Sequence, residues 1–228
     1  MKSNFEFLQA EFPILSTFGA QAEKYCFSDP NSCLMKLGMI GESIVNLMFT
    51  YDRIPLPYDN TAVTRIDTLQ REGLLSHDLV DILHALRKAR NKAVHENYDS
   101  VADCKILLEM AHSLCEWFMQ TYGDWSYKHH DFIMPTLVPK KLVTREEKTA
   151  EEKQANELSK QAEEKAAAAK KVSKTERQKQ ASRMASQRPK SEAETRYIID
   201  EQLRQVGWEA DTENLRYSKD TRPEKGHN

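Results

Sequence analysis

The chain has 228 residues, with 33 Lys and Arg against 35 Asp and Glu, a net charge of −2, and hydrophobic residues make up only 39%. Its 7 glycines and 8 prolines disfavour a turn-rich all-β domain, no apolar run reaches the ~18 residues of a membrane span, and the N-terminus lacks a signal-peptide core. The four cysteines lack metal-ligand spacing, so we predict a cytoplasmic, all-α protein with reduced thiols.

The near-neutral total conceals three blocks of charge. Residues 1–139 carry a net charge of −6, residues 140–190 carry +7, and residues 191–228 carry −3. From residue 144 to residue 190 the only large apolar residues are Leu158, Val172 and Met184. Such a segment cannot bury a core of its own. We therefore predict a folded domain over 1–139, a charged helical or disordered linker over 140–190, and the incomplete start of another domain over 191–228.

The first two predicted helices carry apolar residues at helical spacing. Pro13 suits a first helical turn, and the periodic pattern continues to Tyr25. Asp29 is typical of a cap before a second helix, whose apolar stripe includes Gly38 and Gly41. Because glycine has no side chain, this stripe predicts the close approach of another helix.

Three further elements complete the predicted bundle. The prolines within residues 51–60 indicate a loop, and a short helix follows over residues 63–72. Ser76 can cap the next helix. Ser100 opens a capping box before a long helix that ends near Gly123.

The residues with the clearest chemistry lie between these last two helices. Arg90, Asn91 and His95 form an R-N-x-x-x-H pattern. A neutral imidazole could take the proton from a ribose 2′-hydroxyl, and a guanidinium could stabilise charge developing on the adjacent phosphate. Asn91 could orient either group. These three residues are therefore candidate catalytic residues for metal-free RNA cleavage.

A structural interpretation of the same residues stays open. On a regular helix Arg90 and His95 project about 140° apart, and Arg90 falls on the apolar face. A guanidinium there needs a carboxylate partner, and Glu42 is the candidate for this structural role. His95 would then make only a local hydrogen bond near the helix end.

The linker has two interpretations. Thr144 opens a capping box before a run of Ala, Glu, Gln and Lys, which favours helix, but no heptad repeat is sustained. We expect an exposed, partly helical spacer. Alternatively, its basic residues could track a nucleic-acid backbone in a salt-dependent way. The candidate nucleic-acid-binding residues are Lys170, Lys171, Lys174, Arg177, Lys179, Arg183, Arg188 and Lys190.

The C-terminal block begins with another helix signal. Ser191 and Glu194 form a capping box, and apolar residues recur from Ile198 to Val206, before Gly207 ends the pattern. No partner for this apolar face is visible in the remaining residues. We predict that a domain begins here and that the segment is poorly ordered alone.

The R-N-x-x-x-H pattern and several other stretches of the chain resemble those of known protein families. The R-N-x-x-x-H element, late in a helical bundle, resembles the motif of the HEPN superfamily. More specifically, residues 3–122 resemble the domain of unknown function at the start of many R subunits of type I restriction enzymes (HsdR). The matching stretches are Ser3–Leu8, Ala22–Glu23, Asp29–Ser32, Gly41–Glu42 and Arg90–His95. Relatives often carry an arginine where this chain has Gly38.

The C-terminal block resembles the opening of the HsdR nuclease domain. The matching residues are Glu194–Arg196, Ile199–Asp200, Leu203, Gly207–Trp208 and Arg222–Gly226. Two matches in the expected order imply an N-terminal fragment or truncated form of an R subunit. We find no E-x-K triad after Trp208 and no GxxxxGK[ST] loop, so we expect no DNA cleavage, ATP hydrolysis or metal site in this chain.

The resemblance also implies cofactors and partner subunits for the parent protein. The parent family cuts DNA using ATP and Mg²⁺, assembled with methylation and specificity subunits. We therefore expect the helical domain to serve assembly with those subunits or with a second copy of itself. The alternative is a HEPN-type metal-independent ribonuclease, a class that forms dimers, using Arg90, Asn91 and His95.

Overall fold

The computed structural model describes residues 3–136, 145–210 and 215, and it divides the chain into two compact units, Met1–Arg188 and Pro189–Asn228. All regular structure in the described residues is helical, which confirms the all-α fold class. The first unit contains a 3-10 helix (Glu6–Leu8), α1 (Pro13–Tyr25), α2 (Pro30–Asp52), α3 (Ala62–Arg71), α4 (His77–Glu96), α5 (Val101–Tyr122), α6 (Arg145–Ala168) and α7 (Lys174–Gln187). The second contains α8 (Glu192–Gln205).

Side-chain caps fix most of the predicted helix starts. Asp29 accepts from the Ser32 amide, Ser100 from the Asp103 amide and Ser191 from the Glu194 amide, each at 3.1 Å. These three predictions are confirmed. Ser76 occupies the predicted cap position of α4, but its buried hydroxyl makes no hydrogen bond within the described residues. The predicted cap at Thr144 lies outside them.

The core forms around α2, which lies against α1, α4, α5 and α6. The fully buried aromatic residues of the core include Phe5, Phe12, Phe18, Trp117 and Phe118. Among the described helices, α2 alone is long and apolar enough to cross a membrane by length and composition. Its most apolar stretch is 61% buried within the protein, as expected for a central core helix.

The predicted close helix approach occurs between α2 and α4. A Cβ atom added to Gly38 would lie 2.4 Å from the Cβ of Arg90 and 2.6 Å from its Cδ. At Gly41 the nearest atoms would be leucine methyl carbons 3.5 Å away, an ordinary contact. Gly38 is therefore the position at which the close packing of α2 and α4 leaves no room for a side chain.

The expected exposed spacer is wrong for much of the linker, because α6 and α7 pack on the bundle. On α6, Ala155, Ala162 and Ala166 are buried, and Glu151 accepts a 2.8 Å hydrogen bond from the Tyr25 hydroxyl. These alanines lie at helical spacing on the side of α6 that meets α1 and α2. Small side chains thus bury a face in a segment that has few large apolar residues.

Several polar side chains of α7 reach the ends of other helices. Helix C-termini leave carbonyl groups without intrahelical partners. Gln180 donates to the carbonyl of Gln120 at 2.8 Å, and Arg177 donates to that of Thr121. Gln178 donates to the carbonyl of Glu72 at 2.7 Å. These bonds tie α7 to the ends of α5 and α3.

The second unit exposes apolar side chains on α8 and at the residue that follows it. Ile199, Leu203 and Val206 are exposed at 49%, 38% and 63%, at spacings of four and three residues. They therefore form one stripe along the helix. The matching residues Arg222–Gly226 lie outside the described part of the chain.

Candidate functional site

The first candidate site is the predicted motif on α4. Arg90 Nη1 lies 3.1 Å from Glu42 Oε2 on α2, and both side chains are partly exposed. The aliphatic part of Arg90 passes across Gly38. A guanidinium that starts from the apolar face of α4 thus reaches a carboxylate at the edge of the α2–α4 interface.

The structure does not bring the three motif residues together. Helix α4 continues without a break to Glu96, so Arg90 and His95 keep the ~140° separation of a regular helix. Asn91 and His95 are exposed. Within the described residues, no hydrogen bond or ion pair joins Arg90, Asn91 and His95 to one another. Arg90 and His95 therefore do not converge on one reacting phosphate.

The basic residues of the linker separate into two groups. Most are exposed and suit contact with a solvated polyanion: Lys170, Lys171, Lys174, Lys179, Arg183 and Lys190. Arg177 and Arg188 are buried, at 3% and 8% exposure. They are therefore not accessible to a nucleic-acid backbone. Arg177 contacts Asp52 and Tyr122, and Arg188 donates to the Ser113 hydroxyl at 2.9 Å. Binding of nucleic acid by the exposed group stays a prediction.

A cluster that sequence reasoning missed surrounds Glu116 on α5. Its carboxylate is buried and accepts hydrogen bonds from the His130 amide at 2.8 Å and the Tyr127 hydroxyl at 3.2 Å. The ring of His129 also contacts it. These partners come from the extended segment after α5. Glu116 therefore anchors that segment to the bundle.

His112 lies one helical turn before Glu116, in an aromatic environment. Its ring meets Phe5 and Phe7 edge-on, with centroids 5.6 Å apart in both pairs. Burial, followed by the nearby charge of His129, lowers the pKa of His112 to about 4. His112 is therefore neutral at pH 7, and its ring makes a hydrogen bond with the backbone of Asn4.

An open cavity of about 650 Å³ lies beside this cluster. Its walls include Asn4, Lys24, His112, Tyr127 and Asp131. This size suits a small organic ligand, with a mixed polar and apolar lining. Among the described residues, no group of three or more His, Cys, Asp and Glu side chains could hold a metal ion. In the sequence, the histidines that follow α5 are the feature that could have indicated this cavity.

Comparison with known proteins gives two matches. The family described as "Domain of unknown function (DUF4145)" matches residues 20–161, more than half of the chain. The Type I restriction enzyme EcoKI endonuclease subunit of Escherichia coli (strain K12) is 28% identical over 100% of this chain. The chain spans 24% of that relative's length. No solved structure matches.

Proposed function

Because the chain belongs to the DUF4145 family and is similar along its whole length to a type I restriction endonuclease subunit, we propose that it acts as an interaction module of such a subunit. The observation that carries the proposal is the match over 100% of the chain. That match includes the linker and the C-terminal block as well as the helical bundle.

The first unit provides the surface for assembly in this proposal. Its α6 and α7 add a charged outer face to the bundle while their buried residues hold them in place. The partners are the methylation and specificity subunits of a restriction-modification complex, or a second copy of this chain. DNA cleavage and ATP-driven translocation, with their Mg²⁺ and ATP, belong to other domains of the parent subunit.

The second unit has a different proposed role. We assign α8 to the opening helix of the nuclease domain in the parent subunit. The exposed stripe of Ile199, Leu203 and Val206 supports this assignment, since such a stripe is buried when a helix joins a core. A cytoplasmic location is part of the same proposal.

Mixing the chain with purified methylation and specificity subunits tests assembly. We expect co-elution in size-exclusion chromatography, with light scattering recording a mass increase of 26.4 kDa for each copy bound. The chain measured alone shows whether it is a monomer or a homodimer. An unrelated helical protein of similar net charge is the control. Separate elution of all components, with a monomeric chain, would contradict the assembly role.

The ribonuclease alternative stays a prediction that rests on Arg90, Asn91 and His95. Labelled RNA incubated with the protein in EDTA tests it directly. Cleavage that is lost in His95→Ala would support the alternative, and intact RNA would contradict it under those conditions. The separation of Arg90 from His95 on α4 leads us to expect intact RNA.

A further inference from the structure

A second, smaller cleft lies where α3 crosses α2 and α4. Its volume is about 100 Å³, and its lining includes the three arginines Arg65, Arg87 and Arg90. Arg87 and Arg90 are three residues apart on α4, so their side chains can reach the same side of that helix. Arg65 comes from α3. Three separate positions of the chain thus bring positive charge to one cleft.

The charge of this cleft is only partly balanced. Among the described residues that line the cleft, Glu42 is the only carboxylate, and it pairs with Arg90. Arg65 is held by neutral amide oxygens instead, with Nε donating to Asn60 Oδ1 at 2.7 Å and Nη1 donating to Asn46. The lining therefore carries three positive charges and one negative charge.

Arg87 provides the second observation. Its Nε atom is buried and has no hydrogen-bond partner within the described residues. Leaving a buried donor unsatisfied costs about 1–3 kcal/mol, and more for a charged group. Such groups in a folded protein point to a missing partner. An anion in the cleft would accept hydrogen bonds from Arg87 and balance the remaining charge.

We propose that this cleft binds a phosphate group. Guanidinium groups match the oxygens of a tetrahedral phosphate through paired hydrogen bonds. A cleft of about 100 Å³ has room for one phosphate group. Any substituent on the phosphate would extend outside the cleft. This inference does not depend on the proposed role in assembly.

Calorimetric titration of the whole chain with inorganic phosphate, at constant ionic strength against chloride, tests the proposal. We expect saturable binding in the wild type. Arg87→Gln should weaken it at least about tenfold, since one charged donor is lost. Arg71→Gln, which changes an exposed arginine at the end of α3, is the matched control and should bind like the wild type. Absence of saturable binding, or equal binding by Arg87→Gln, would overturn the proposal.

Two further arms make the result specific. Far-UV circular dichroism shows whether Arg87→Gln is folded, and Arg65→Gln serves as a second variant with the same expected weakening. Competition with adenosine 5′-monophosphate and with adenosine identifies the source of the phosphate. Displacement by the monophosphate alone indicates a phosphate ester, and displacement by neither compound indicates free phosphate. Displacement by adenosine would show base recognition and overturn the assignment.

Discussion

Arg177→Met is expected to destabilise the protein by about 3 kcal/mol, because it leaves a buried carboxylate without its cation. Arg177 Nε lies 3.3 Å from Asp52 Oδ1, with the two side chains 4% and 11% exposed. The guanidinium also covers the ring of Tyr122 at 4.2 Å and donates to the Thr121 carbonyl. Methionine keeps the unbranched stem but makes none of these polar contacts. Urea unfolding followed by circular dichroism measures the loss.

The Tyr122 hydroxyl limits this loss. Burial, and then the Asp52 carboxylate, raise the pKa of Tyr122 well above its usual value, so the hydroxyl stays protonated and donates to Asp52 at 2.7 Å. We therefore place the effect at the lower end of the range for broken buried pairs.

A matched control and a double variant separate the pair from general effects of charge. Arg183→Met removes the same charge from an exposed position of α7 and should change stability by no more than about 0.5 kcal/mol. In the Asp52→Asn background, Arg177→Met should cost less than in the wild type, since no buried charge is left behind. Equal losses for Arg177→Met and Arg183→Met would contradict the buried contact.

Gly38→Ala is expected to destabilise the α2–α4 interface by about 1–3 kcal/mol, the usual cost of overpacking. The added Cβ would lie 2.4 Å from the Cβ of Arg90, a distance that requires the two helices to move apart. Truncation of Arg90 to alanine should not restore stability, because the colliding Cβ atom remains. The melting temperature and the urea midpoint both report the effect.

Gly41→Ala provides the comparison on the same helix. Its Cβ would make ordinary contacts at 3.5 Å, so the better helix propensity of alanine should stabilise the protein by up to about 1 kcal/mol. The two substitutions should therefore have opposite signs. Similar effects at both positions would show that Gly38 does not set the distance between α2 and α4.

The sequence predicts the first five helices well, for identifiable reasons. Periodic apolar residues mark their buried faces, and Asp29 and Ser100 make the cap hydrogen bonds expected from their positions. Glycine on the apolar stripe of α2 also pointed to a close helix contact, although only Gly38 requires it. Local signals were sufficient where large apolar side chains form the core.

The same reasoning failed for α6 and α7 because their buried residues look like solvated ones in sequence. Alanine is the best helix former wherever it lies on a helix, so it does not mark a buried face, and an arginine among lysines usually faces water. Arg177 is buried because it contacts the end of α2 at Asp52 and the end of α5 at Thr121, which are both far away in sequence. Trp117 also donates to the carbonyl of Ala181 at 3.1 Å, a contact with no local signal.

The candidate sites could also be predicted only in part from the sequence. Glu42 could be nominated as the partner of Arg90, since helix faces follow from residue spacing alone. The cluster around Glu116 could not, because Tyr127, His129 and His130 reach it from an irregular segment whose path has no periodic pattern. The phosphate cleft likewise depends on how α3 crosses α4, which only the tertiary structure provides.

The charged segment is part of the folded module, with α7 packed against α5 and bonded to the end of α3. Native-state hydrogen exchange measures this directly. We predict that the amides of Ala181, Met184 and Ala185 exchange at least about 100-fold more slowly than in an unstructured peptide, as the amides of α5 should. Exchange of these α7 amides at the rate of an unstructured peptide, while α5 stays protected, would contradict it.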